Sequence, residues 1–108
     1  EKNMQTKTPR FSSGQVIHHK KFGYRGVIVS VDEAFSGSEQ WYEKSAISRP
    51  PKDSPWYHVL VHDSVQETYV AERHLELDRS NDPVSHPLVD VFWDELEDGQ
   101  YLRNRLMN

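Results

Sequence analysis

From position 55 to 71 the chain alternates as paired β-strands do. Trp56-Tyr57-His58-Val59-Leu60-Val61-His62 and Val65-Gln66-Glu67-Thr68-Tyr69-Val70-Ala71 are rich in β-branched and aromatic residues and flank Asp63-Ser64, so together they predict a β-hairpin. A period of two puts Trp56, His58, Leu60 and His62 on one face and Tyr57, Val59 and Val61 on the other. Neither face is purely polar, which predicts a strand with neighbours on both sides. Asp-Ser is a weaker turn pair than Asn-Gly, and it leaves the register open. Upstream, residues 15–20 predict a first strand approached through the turn Phe11-Ser12-Ser13-Gly14. Residues 26–32 predict a second, with Val27, Val29 and Val31 on one face. Between them Gly23 and Gly26 can take positive φ, so these strands form a hairpin of the kind that opens small SH3-like barrels. Phe22 and Tyr24 are expected to pack at its turn, with a binding role as the alternative.

Residues 33–54 read as a long loop with a short helical turn near 36–42 and a stiff second half set by Pro50, Pro51 and Pro55. Trp41 and Tyr42 either tack this loop onto the domain or offer an aromatic contact surface. Residues 71–77 predict a 3₁₀ turn leading into a last strand, and Asn81-Asp82-Pro83 marks a polar connection. From His86-Pro87 to Gly99 a helix is expected, because Leu88, Phe92 and Leu96 recur at intervals of four with Val89 and Trp93 beside them. Asp90, Asp94, Glu97 and Asp98 line the rest of that helix. It either caps one end of a barrel or serves as a contact for a partner or a second copy. Residues 1–10 have no periodicity and read as a disordered lead-in, and the start at Glu1 rather than Met suggests a trimmed chain. The expected fold is mainly β, a small SH3-like five-stranded barrel over residues 11–108 with a C-terminal α-helix.

Composition narrows this picture. With 108 residues and 35% hydrophobic content the core must be thin, and twelve aromatic residues supply much of its area. There is no cysteine, which excludes thiol catalysis, disulfides and zinc-thiolate sites. No apolar run approaches the roughly 20 residues that span a bilayer, and no signal-peptide core stands at the start. A soluble, cytoplasmic protein without membrane contact is expected. The net charge of -4 conceals an asymmetry: residues 1–31 hold six basic groups against Glu1, and the remainder holds seven basic and sixteen acidic. A chain that neutralised many phosphates would be basic overall, so only a local basic patch is available.

Catalytic motifs are missing. His58 and His62 are four apart, but along a strand that spacing is about 13 Å, too far to share one ion. His18 and His19 are adjacent and would point to opposite faces. No nucleophile elbow surrounds a serine, and Gly23-Tyr24-Arg25-Gly26 is not a phosphate-binding loop. Neither metal nor cofactor is expected, nor enzymatic activity. Binding remains. A DNA footprint would use Lys20, Lys21 and Arg25 on the first hairpin with Lys44, Arg49 and Lys52 from the long loop, and Tyr24 or Trp41 could stack on a base. A protein partner would meet Trp41, Tyr42, Pro50 and Pro51 in the loop, or Leu88, Phe92 and Trp93 on the helix.

An ordered set of segments adds to this reading. Lys21-Phe22-Gly23-Tyr24-Arg25-Gly26-Val27-Ile28, Asp32-Glu33-Ala34-Phe35-Ser36, Trp41-Tyr42, Ser48-Arg49-Pro50-Pro51, Pro55-Trp56-Tyr57-His58-Val59-Leu60-Val61, Thr68-Tyr69-Val70-Ala71-Glu72, Leu75 and His86-Pro87 follow one another. Over about residues 11–96 the chain resembles the YccV-like hemimethylated-DNA-binding family, in its bacterial heat-shock type. The resemblance implies an SH3-like barrel without enzymatic activity and two functional settings. One is adaptor or specificity factor for an ATP-dependent AAA+ protease and its client proteins. The other is binding of hemimethylated DNA near the replication origin. It also implies that such a domain can occur within larger proteins. The protease setting is the expected one, with DNA binding as the alternative.

Overall fold

The chain runs through β1 (Val16–His19), β2 (Arg25–Asp32), a helix α1 (Glu39–Ser45), β3 (Trp56–Val61) and β4 (Glu67–Ala71), the central strands buried on both faces. A 3₁₀ turn (Glu72–His74), β5 (Leu75–Leu77), a one-turn helix α2 (Val89–Phe92) and the short strands β6 (Glu95–Glu97) and β7 (Gln100–Leu102) complete it. The structure, a computed structural model, describes residues 7–103. Residues 1–6 of the expected lead-in lie outside the described residues, while the Arg10 amide donates to Glu72 at 2.8 Å.

Five strands form one antiparallel sheet in the order β4-β3-β2-β1-β5. β3 has a neighbour on each side, as its two apolar faces predict, and its registers run from Trp56↔Ala71 to Leu60↔Glu67 on β4. The hairpin loop is longer than Asp63-Ser64, because β4 begins only at Glu67 and Val65 is left 80% exposed. Among the described residues no ladder joins β4 to β5, so the expected closed barrel is an open sheet. It is nevertheless strongly curled. A flat five-stranded sheet would separate its edges by about 19 Å. Ala71 at the end of β4 and Leu75 at the start of β5 are four residues apart and can be separated by at most about 14 Å.

Curling creates an inner face and an outer one. Ile17, Ile28, Tyr57, Val59, Val70 and Leu75 pack with Phe11 on the inside. Val16, Val27 and Leu60 pack outside against Val84, Val89, Trp93 and Tyr101 from the C-terminal segment. The expected common face of Val27, Val29 and Val31 is broken by an irregularity between Ile28 and Ser30. Val27 and Val29 turn to the outer cluster, and Val31 to the inner. The extra residue of a β-bulge does this, since each one-residue slip exchanges the faces.

The expected C-terminal helix is not formed. Only Val89–Phe92 is helical, and β6 pairs with β7 from Glu95↔Leu102 to Glu97↔Gln100. Asp98 at φ 51 and Gly99 at φ 79 make the two-residue turn between them, the Asp-Gly signal of a tight hairpin. Leu88, at 39% exposure, is not part of a continuous buried stripe, whereas Trp93 and Tyr101 are buried together with ring centroids 5.5 Å apart. No helix of the described residues is long and apolar enough to cross a membrane.

The β6–β7 hairpin joins the sheet through Gly14. The Gly14 amide donates to the Ile28 carbonyl at 2.7 Å and its carbonyl accepts from the Tyr101 amide at 2.6 Å. Gly14 has φ +91, and an added Cβ would stand 2.5 Å from the Tyr101 carbonyl oxygen. Gly14→Ala is expected to cost about 2–3 kcal/mol by combining backbone strain with a backbone clash. Gly23→Ala, at φ +78 with nothing within 4 Å, is expected to cost only about 1 kcal/mol from strain. Urea midpoints of the two variants measure the difference.

Candidate functional site

A cleft of about 330 Å³ opens along β4. Lys21, Phe22 and Tyr24 from the β1–β2 turn stand on one side; Trp41, Ala46, Ile47 and Pro50 form the other. Thr68 to Ala71 line it lengthwise, and His19 and His74 close one end. Its size falls within the range of sites that enclose a small ligand or a few side chains. Phe22 and Ile47 are 71% and 79% exposed at its lips.

Local capping sets the far wall. Ser38 caps α1 by accepting from the Trp41 amide at 3.0 Å, and Glu39 adds favourable charge to the first turn. At the other end Arg49 donates a second hydrogen bond to the Ala46 and Tyr42 carbonyls at 2.9 and 3.2 Å, beside those they already accept from the backbone amides of Arg49 and Ala46. The following prolines are held by their carbonyls: Pro50 accepts from the Tyr42 hydroxyl at 2.7 Å and Pro51 from Trp56 Nε1 at 3.0 Å. Tyr42, Ala46, Trp56 and Ala71 form a third buried cluster, with Phe35, Trp41 and Tyr69 packed on it.

The near wall rests on His19. Its Nδ1 accepts from the Lys21 and Phe22 amides at 3.2 and 3.0 Å, and its ring lies between Phe22, centroid 4.7 Å away, and His74 at 5.5 Å. Burial, with positive charge from His74, His18 and Lys21, pushes its pKa down to about 4. His19 is neutral at pH 7. Burial and the neighbouring Arg73, Lys21 and Lys20 also lower the pKa of His74. Its Nε2 lies 3.0 Å from Ser48 Oγ, and Arg73 donates to the Ser48 carbonyl at 2.7 Å, so the 3₁₀ turn and the loop after α1 are tied across the end of the cleft.

Behind Trp41 a second hollow contains Asp32, Ser36, His58 and Tyr69. Asp32 accepts from the Tyr69 hydroxyl at 2.6 Å and from Ser36 Oγ at 2.7 Å, and lies 3.3 Å from His58 Nε2. Burial pushes the Asp32 pKa up, but these partners outweigh it and leave it lowered; burial and Asp32 itself raise that of Tyr69. The network fixes the start of the long loop on β2, β3 and β4. Among the described residues no group of three His, Asp or Glu side chains is placed to hold a metal.

The residues singled out by the sequence fall into separate groups. Lys21, Tyr24, Trp41 and Pro50 meet at the cleft, and Lys20 is exposed beside it, with its amide donating to the His74 carbonyl. Arg25 faces elsewhere: it pairs with Asp78 at 3.2 Å and donates to the Asp82 and Pro83 carbonyls. Arg49 wraps the end of α1. Lys52 pairs with Glu39 and sits 4.4 Å above the Tyr42 ring. Lys44 and Pro51 are exposed and Tyr42 is buried. Leu88, Phe92 and Trp93 belong to the C-terminal segment on the outer face of the sheet, away from the cleft.

A sequence model of the family described as hemimethylated DNA-binding protein YccV-like matches residues 9–100. The chain belongs to this family. In this YccV-like protein the cleft also contains residues that sequence reasoning missed: His19, Ile47, Tyr69 and His74. Ile47 had a visible signal, an apolar residue isolated in a polar loop. Tyr69 and His74 had none beyond ordinary strand and turn composition.

Proposed function

We propose that this protein is a non-enzymatic interaction module that acts as adaptor or specificity factor for an ATP-dependent protease. Its cleft along β4 would take an apolar segment of a partner protein. The observation that carries the reading is how the charged and apolar groups are distributed. Arg25, Arg49 and Lys52 are engaged within the fold, while Phe22, Trp41 and Ile47 present apolar surface at one open cleft. A few aromatic and aliphatic anchors in such a setting provide most of the affinity of a protein contact. The adaptor role itself comes from the family resemblance.

Hemimethylated-DNA binding is the second reading, and the family description together with the exposed Lys20, Lys21 and Arg73 favours it. One set of variants separates the two. Ile47→Asp changes an exposed side chain, so stability should move by no more than about 0.5 kcal/mol, and Phe22→Ser should cost about 1 kcal/mol through the lost stacking on His19. They are expected to reduce stimulation of a reconstituted ATP-dependent protease acting on a denatured client by about tenfold or more. Lys20→Glu with Lys21→Glu should lower that stimulation by less than the apolar changes do, about threefold, because exposed charges contribute little each. Under the DNA reading the order reverses. A hemimethylated duplex would be held over its unmethylated and fully methylated forms, its affinity would fall steeply with salt, and the lysine reversals would abolish it.

A further inference from the structure

The cleft runs along a sheet edge that has no partner. β4 is the end strand of the sheet and pairs only with β3 among the described residues. The Val61 amide donates to the Gln66 carbonyl and the Glu72 amide to the Pro55 carbonyl, which fixes the alternation of the ladder between them. Val59–Thr68 and Tyr57–Val70 are then the hydrogen-bonded pairs; His58–Tyr69 and Trp56–Ala71 are opposed without bonding. The peptide groups of Tyr69 and Ala71 therefore point away from β3. Among the described residues both N–H groups and the Tyr69 C=O have no backbone partner, while the Ala71 C=O opens the 3₁₀ turn that follows. Thr68 and Val70 project to one face of the sheet and Tyr69 and Ala71 to the other, yet all four line the cleft. A hollow that touches both faces of a strand lies along its edge.

We propose that the cleft binds its partner by strand addition: an extended peptide segment pairs with β4 and places alternate apolar side chains between Phe22 and Ile47. This rests on the interaction-module reading above and specifies its partner. Main-chain pairing supplies affinity in such complexes, and pockets for every second side chain supply selectivity. The charge of the rim defines the segment further. The Lys20 amide bonds the His74 carbonyl at 2.8 Å, Arg73 precedes His74 in the 3₁₀ turn and Lys21 lines the cleft with His74, so the three cations gather at the same end of the cleft. A peptide with Asp or Glu flanking its apolar residues complements that end. A second copy of this chain would bring a like-charged rim to it.

A random library of ten-residue peptides displayed on phage, selected against the whole protein, tests this. Enriched peptides should alternate aromatic or aliphatic residues with polar ones and carry Asp or Glu at one flank. With such a peptide bound, amide exchange at Tyr69 and Ala71 should slow by about tenfold or more. N-methylation of the alternate amides that face β4 should weaken binding by about tenfold, and methylation of the other set should not. If both sets matter equally while Ile47→Asp still abolishes binding, strand addition is wrong and docking in the cleft stands. If no peptide is enriched over Ile47→Asp, both readings fall. If Tyr69 and Ala71 become protected with rising protein concentration alone, a second copy occupies the edge and the proposal is overturned.

Discussion

Trp56→Ala is expected to destabilise the protein by about 3–5 kcal/mol, the usual range for removing a fully buried large aromatic side chain. Trp56 is 2% exposed and joins two parts of the molecule. It begins β3, and its ring contacts Phe35, Tyr69, Trp41 and Tyr42 at centroid distances of 4.9, 5.1, 6.0 and 6.3 Å. Its Nε1 also holds the Pro51 carbonyl at 3.0 Å. Alanine would leave a cavity beneath α1 and remove the donor from that carbonyl. Against a typical net stability of about 5–15 kcal/mol the loss is a large fraction. Trp56→Phe keeps most of the packing and should cost about 1–2 kcal/mol, mainly for the hydrogen bond. Urea unfolding followed by circular dichroism measures both, provided the slope is unchanged. The alanine variant should also lose cleft binding under conditions where the sheet remains folded, because Trp41 and Ala46 rest on the same cluster. A cost below about 1 kcal/mol would mean that α1 is not anchored through this ring.

The succession of strands β1 to β5 along the chain was legible because each depends on local composition and turn residues, whereas their closure into a barrel was wrongly expected. The hairpin of β3 and β4, the opening hairpin and the 3₁₀ turn all follow from patterns within about ten residues. What failed depended on one residue serving two interpretations. Gly99 can stop a helix, but after Asp98 it can also turn a hairpin, and the apolar spacing of Leu88, Phe92 and Leu96 favoured the wrong choice. Trp93 and Tyr101 decide it: both reach the outer face of the sheet only if the chain reverses between them. At Val29 a single extra residue moved Val31 to the other face, and nothing local marks a bulge there. The candidate site was half legible. Lys21, Tyr24, Trp41 and Pro50 were chosen by chemistry and do meet. The engagement of Arg25 and Arg49 depends on carbonyls brought near by folding, which spacing does not reveal. The free edge of β4 is a property of sheet order and has no local sequence signature.

Acidification from pH 7 to pH 4 is expected to remove roughly 2–3 kcal/mol of stability through His19. Its folded pKa is about 4, against 6.5 for an unperturbed histidine. As pH falls through 6.5 the unfolded chain takes up the proton first, so the folded state loses ground until the pH nears 4. Above pH 7 the group contributes no pH dependence. Protonation in the folded state would end the acceptor role of Nδ1 toward the Lys21 and Phe22 amides. It would also place a cation among Lys21, His18 and His74. The lowered pKa of His74 acts in the same direction, whereas Asp32 and Asp78, both lowered, lose their contributions only as pH falls below the ordinary carboxylate range. The histidine effect therefore occupies its own window. His19→Asn offers an acceptor oxygen near the position of Nδ1 and cannot titrate. It should give up some stacking energy at pH 7 yet lose much less between pH 6.5 and 4, and urea midpoints measured across that range show the slope. An equal slope in both proteins would place the titration elsewhere. If the slope is lost, this histidine is the one that makes the Lys21–Tyr24 wall of the cleft sensitive to acid.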